Sequence, residues 1–192
     1  MKNRTDEELI GACLDGDKAA WAALIERYQQ LVYSIPRRYH LPPEEAGDVF
    51  QGVWVDLYRG LAGLRRAGGI RAWLVTATMR RSLLHKKRRE RQAAESVDDA
   101  LAQLAATTPD PLAIREEAER AQAVRDAIHS LPPRCQELVR MLFYEEPQVP
   151  YAEAAKRLGL AEGSIGFIRG RCLERLRKAL LAGTPATKSA GQ

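Results

Sequence analysis

Apolar residues recur along almost the whole chain at intervals of three and four, and no stretch alternates convincingly with a period of two. That pattern predicts helices and no strands. Thr5 and Glu8 form a capping box, with a hydroxyl acceptor at the cap and a carboxylate three residues on, which predicts a short first helix. Asp17 is placed to cap a second, in which Trp21, Leu24, Ile25, Tyr28, Leu31, Val32 and Ile35 make one apolar stripe. Pro36 lies inside that pattern, where its missing N–H and its crowding of the preceding turn predict a kink or an end. His40 follows on a loop. Pro43 suits a first helical position, and Val49, Phe50, Val53, Trp54 and Leu57 then predict a third helix to about Leu61, with Asp48, Gln51, Asp56 and Arg59 mostly toward solvent. Gly60, Gly63, Gly68 and Gly69 predict a loop carrying Arg65 and Arg66, before a fourth helix from Ile70 to about Arg91.

Residues 93–112 read differently. Their acids, small residues and Thr107-Thr108-Pro109-Asp110-Pro111 predict a flexible linker, with room for a short fluctuating helix around Val97–Leu104. Beyond it, Ile114 to His129 reads as an exposed helix with a thin apolar face, Leu131-Pro132-Pro133 breaks the chain, and Cys135 to Tyr144 resumes as an apolar helix. The expected architecture is all-α: two small helical domains, residues 1–92 and 113–182, joined by the acidic linker and followed by a disordered tail over 183–192.

The C-terminal pattern from Tyr151 to Leu180 is that of a helix-turn-helix. Ala155 lets two helices approach, Gly159 permits a left-handed turn, and Ile165 anchors the second helix inward. Leu158, Leu160, Leu173 and Leu176 complete a small core. Ser164 stands at the start of the second helix, where a hydroxyl and free amides meet phosphate. Arg169, Arg171, Arg175, Arg177 and Lys178 follow as a basic face.

Charge sharpens this picture. The chain of 192 residues has a formal net charge of +5 and a pI near 9.3. All its bases but Lys188 of the tail lie in the two expected domains, whereas 93–112 holds Glu95, Asp98, Asp99 and Asp110 and no base. Basic lobes on an acidic tether suit a polyanionic ligand. The densest run, Arg80, Arg81, Lys86, Lys87, Arg88, Arg89 and Arg91, shares the fourth helix with Trp73, which offers cations to phosphate and an aromatic face to bases. Cys13, Cys135 and Cys172 are odd in number and widely spaced, so neither a disulfide framework nor a metal site is expected and a reduced, cytoplasmic setting follows. No signal peptide or membrane span is expected.

Four segments in this order, Asp48 to Tyr58, Ile70-Arg71-Ala72-Trp73-Leu74 with the arginine run after it, Leu131-Pro132-Pro133-Arg134, and the helix-turn-helix, resemble a bacterial RNA polymerase sigma factor of the extracytoplasmic-function type. The likeness spans about Asp6 to Leu181. It implies that Asp48, Gln51, Val55, Asp56 and Arg59 dock on a coiled coil of the polymerase's largest subunit. It implies that Arg65, Arg66, Arg71, Trp73, Arg80, Arg81, Lys86, Lys87 and Arg88 recognise and help melt the minus-ten promoter element. A flipped base would sit in the Gly60–Gly69 loop, its unstacking repaid by new contacts. Ser164, Gly166, Phe167, Arg169, Arg171 and Arg175 would read the minus-thirty-five element. Core RNA polymerase, promoter DNA and an anti-sigma protein are the implied partners, with the apolar helix from Cys135 to Tyr144 as one surface the last could cover. Two departures stand out. Met79-Arg80 and Leu84 replace the family's common Arg-Asn and Asp, and Gly166, Phe167 and Ile168 stand where Lys, Ser and Arg are frequent, which implies an altered set of base contacts.

A stand-alone helix-turn-helix regulator is the alternative, and it predicts a dimer on a palindromic site. An enzyme has little support, since no HExxH, GxxxxGK[ST] or GxSxG pattern occurs and His40, His85 and His129 are scattered. No cofactor is expected.

Overall fold

The computed structural model describes residues 4–67, 69–94 and 110–183, all-α with no strand among them. Its helices are α1 (Asp6–Leu14), α2 (Lys18–Arg38), α3 (Pro43–Ala67), α4 (Ile70–Ala94), α5 (Pro111–His129), α6 (Pro133–Phe143), α7 (Tyr151–Leu158) and α8 (Ile165–Gly183), with a 3₁₀ turn at Glu162–Ser164. Of the expected linker 93–112, residues 93–94 end α4 and 111–112 open α5, and Gly183 of the expected tail ends α8. Apart from Asp110, the remainder, 95–109 and 184–192, on which the expectations of flexibility and disorder fall, lies outside the described residues.

Contacts divide the chain into two units, Met1–Ala121 and Gln122–Gln192. In the first, α1 to α4 bury Leu24, Tyr28, Leu31, Val32, Ile35, Val49, Val53, Leu57, Ile70 and Leu74 in one core. Both predicted caps are present. Thr5 accepts from the Glu8 amide while Glu8 accepts from the Thr5 amide, and Asp17 accepts from Ala19 and Ala20. Asp6, at the start of α1, accepts from Arg27 and from the Tyr28 hydroxyl, which ties α1 to α2.

Three features of this unit depart from the sequence expectation. Pro36 neither kinks nor ends α2, which runs on to Arg38 with Pro36 buried. The proline falls in the last turn, so its ring removes one bond close to the end, and His40 follows at φ 56° to reverse the chain. The predicted Gly60–Gly69 loop is mostly helix, since α3 continues to Ala67. Leu61 and Leu64 prolong the buried stripe of Val49, Val53 and Leu57, and that burial outweighs the roughly 1 kcal/mol that each interior glycine costs. Third, α5 begins at Pro111, and its first turns pack on the N-terminal core through Ile114 and Ala118, with Glu117 accepting from Arg38 at 2.8 Å.

The second unit closes a smaller core of Leu131, Leu138, Val139, Met141, Leu142, Val149, Ala154, Ala155, Leu158 and Ile165. The cysteine expectation is overturned here: Cys135 of α6 and Cys172 of α8 form a disulfide. A separation of 37 residues hides in sequence what helix packing brings to 5.4 Å between Cα atoms. Cys13 is a free, buried thiol in the N-terminal core.

Candidate nucleic-acid interfaces

On α3, the exposed residues Asp48, Gln51, Val55 and Arg59 recur at helical spacing on one face. Tyr58 beside them is 72% exposed, and its ring lies 5.6 Å from that of Trp21 on α2. Trp21, Ile25, Trp54, Val55 and Tyr58 line an open apolar depression of about 320 Å³. The apolar stripes of the sequence account for Trp21, Ile25 and Trp54 but give Tyr58 no role. The available signal is that Val55 and Tyr58 fall off the buried stripe while remaining apolar.

Asp56 departs from this face. It is half-buried and accepts a two-pronged ion pair from Arg81 of α4, at 2.7 Å from Nε and 2.8 Å from Nη2. Gly52 makes the pairing possible, because a Cβ there would collide with the Arg81 guanidinium. The arginine's hydrogen bonds, and then its charge, hold the Asp56 carboxyl below the usual carboxylate range against partial desolvation. Two residues expected on different surfaces, one for polymerase and one for DNA, therefore satisfy each other inside the unit.

The rest of α4 sorts by face. Ile70, Leu74, Val75, Thr78 and Ser82 are buried, the two hydroxyls donating to the Leu74 and Thr78 carbonyls one turn back. Lys86 belongs to this inner side, only 9% exposed, with Nζ 3.7 Å from Glu90. Trp73 is half-buried against the core, as is usual for an aromatic at helical spacing, and Arg71 is half-buried too. The outward stripe is Thr76, Arg80, Leu84, Lys87, Arg88 and Arg91. Arg65 and Arg66 fall in the last turn of α3, and their side chains lie outside the described residues.

The C-terminal unit builds the predicted helix-turn-helix. Ala155 is buried, Gly159 ends α7 at φ 61°, and Ile165 is fully buried at the start of α8. Arg134 donates to the Leu158 carbonyl at 2.7 Å, a bond that finishes α7 and gives the Leu131–Arg134 segment a structural task not seen from sequence. Ser164 ends the 3₁₀ turn before α8, its amide donating to the Ala161 carbonyl. Along α8, Ile165, Ile168, Cys172 and Leu176 face the core. Gly166, Phe167, Gly170, Arg171, Glu174, Arg175, Arg177 and Lys178 are exposed. Arg169 is half-buried, with its guanidinium 5.8 Å from the Phe143 ring. The apolar residues of α6, expected as a docking surface for an anti-sigma protein, instead fill this unit's own core. Phe143 and Tyr144 alone remain substantially exposed at its end.

Residues 24–92 match the family model of Sigma-70 region 2, and residues 127–178 that of Sigma-70 region 4. The chain is 26% identical to the ECF RNA polymerase sigma factor SigM of Mycobacterium tuberculosis over 178 residues, 92% of this chain and 85% of that one. It is 28% identical to the ECF RNA polymerase sigma-E factor of Escherichia coli over 185 residues, 92% of each chain. Among solved structures, that of CnrH in complex with the cytosolic domain of CnrY covers 93% of this chain and 99% of that one, at 19% identity and a TM-score of 0.40.

Proposed function

We propose a division of labour among the exposed faces of this chain, which belongs to the sigma-70 family in its extracytoplasmic-function type and is an alternative sigma factor directing promoter recognition and transcription initiation. One observation carries the reading: each of the two family matches falls on a unit that presents its own exposed cationic helix face, α4 in the first and α8 in the second.

Asp48, Gln51, Val55 and Arg59 dock core polymerase, and the apolar depression beside Val55 and Tyr58 supplies buried area that the charged residues lack. A protein that holds the factor inactive would cover this same face. On α4, Arg80, Lys87 and Arg88 follow the minus-ten backbone, while Arg81 and Lys86, engaged within the unit, set the shape of the helix rather than touch DNA. On α8, the exposed residues from Gly166 to Arg175 enter the major groove at the minus-thirty-five element. The chain contributes binding energy and no bond chemistry of its own, and it acts in the cytoplasm, where polymerase and promoter are.

Run-off transcription with purified bacterial core polymerase on genomic promoter fragments tests the reading. Defined transcripts that need the added chain are expected. Absence of both transcripts and co-elution with core polymerase would favour a stand-alone regulator. Arg80→Ala and Arg88→Ala should each weaken holoenzyme binding across all promoters and flatten its log–log salt dependence by about 0.7–0.9 for each phosphate no longer engaged. Lys86→Met should leave that slope unchanged.

A further inference from the structure

The outward stripe of the recognition helix has an unusual composition. From Gly163 into α8 the exposed positions read Gly163, Gly166, Phe167, Gly170, Arg171, so between the exposed Glu162 of the turn and Glu174 the only exposed side chains are Phe167 and Arg171. None of these three glycines has a left-handed backbone, and a Cβ added to any of them would meet nothing within 4 Å. The unit's own packing therefore asks for glycine at none of them, although two glycines inside α8 cost helix stability. Glycine that the interior does not need has a remaining physical use, which is to let something outside come close to the backbone.

Phe167 stands in that cleared stripe at 69% exposure, with no place in the core cluster. The Arg171 guanidinium lies 5.7 Å from its ring centre, which orders both side chains toward the same side of the helix. A phenyl ring on a helix that enters the major groove meets one apolar landmark there, the thymine C5-methyl group. We infer that Phe167 is a specificity residue that reads a thymine methyl in the upstream promoter element, with Gly166 and Gly170 bringing the helix close enough for the ring to seat on it. The inference rests on the assignment of α8 to the minus-thirty-five element and adds which base it selects. Arg171 keeps the ring in place and brings a cation to the same stretch of DNA. The basic residues Arg175, Arg177 and Lys178 further along α8 supply the charge complementarity that such a close approach needs.

The test uses the full chain bound to core polymerase, on synthetic promoters taken from the run-off transcripts. Each thymine upstream is replaced singly by deoxyuridine, which removes the methyl group and leaves every hydrogen-bonding atom. At one position the wild-type holoenzyme should bind the deoxyuridine promoter about fourfold more weakly, the worth of one buried methyl group. Phe167→Ala should lose a similar factor on the thymine promoter and become indifferent to the replacement. Phe167→Leu should keep part of the discrimination. Gly170→Ala should raise the melting temperature of the free chain yet weaken promoter binding, a pair of changes that damage to the fold would not produce. Indifference of the wild type to deoxyuridine at every upstream position overturns the inference while transcription itself continues. So does unchanged discrimination in Phe167→Ala, or failure of that variant to bind core polymerase without DNA, which would make the ring part of a protein interface. Absence of any transcript would instead sink the sigma reading on which it rests.

Discussion

The two units are held together in different ways. The N-terminal unit spreads its stability over a broad core built around α1 to α4, including the fully buried Tyr28, with ion pairs such as Arg27–Asp6 at the rim. The C-terminal unit has a smaller core without a buried aromatic ring, and it relies on point devices: the Cys135–Cys172 disulfide, the left-handed Gly159, and the bond from Arg134 to the Leu158 carbonyl. A small helical unit buries a smaller fraction of its surface, so single covalent or conformational constraints carry more of its stability. The lesson is that equal-looking helices in one chain respond unequally to single changes.

Removing the disulfide tests that difference most strongly. A cross-link closing a loop of this length is worth about 3–4 kcal/mol in the chain-entropy account. Cys135→Ser with Cys172→Ser should therefore speed native-state hydrogen exchange in α6 and α8 by over a hundredfold while leaving α2 and α3 unchanged. Equal loss of protection in both units would break the comparison. Gly159→Ala comes next: a side chain at φ 61° costs about 1–2 kcal/mol, read as a lower denaturation midpoint of the C-terminal unit alone. The smallest effect belongs to the N-terminal unit. Asp56→Asn should cost less than about 1 kcal/mol at neutral pH, because the pair is partly open to water. The folded carboxyl is depressed, so its contribution is present above the ordinary aspartate value near 4 and disappears as pH falls through the lower folded value. Denaturation of wild type and variant across that range should converge at the acid end.

What is legible in the sequence is local. The Thr5–Glu8 box, the Asp17 cap, the stripes of α2 and α3, and the Ala155, Gly159 and Ile165 positions all depend on neighbours within a few residues, and each takes the place that its spacing predicts. What is not legible depends on distant partners. Glycine content alone predicts a loop at Gly60–Gly69, and only the core that receives Leu61 and Leu64 explains why α3 continues. Arg81 and Lys86 belong to one basic run by composition, yet the run winds around a helix, and its inner side places Arg81 against Asp56 of α3 and buries Lys86. The first turns of α5 read as part of the C-terminal domain because nothing local shows that Ile114 and Ala118 have a place in the N-terminal core. Within the candidate site, the exposed set Arg80, Lys87, Arg88, Phe167 and Arg171 can be named from sequence. The apolar depression beside Tyr58 cannot, because it needs a second helix to exist.

The buried Cys13 also makes the chain its own chemical clock. Burial, and secondarily the nearby Asp17 carboxylate, push its thiol pKa up, so little reactive thiolate exists at neutral pH. With Cys135 and Cys172 joined to each other, Cys13 is the one sulfhydryl left to alkylate. The rate at which a thiol reagent consumes the folded chain should therefore count openings of the α1–α2 region specifically. Adding reductant would release two further thiols, both in the C-terminal unit, so the same reagent would then keep time for both units in a single mass spectrum.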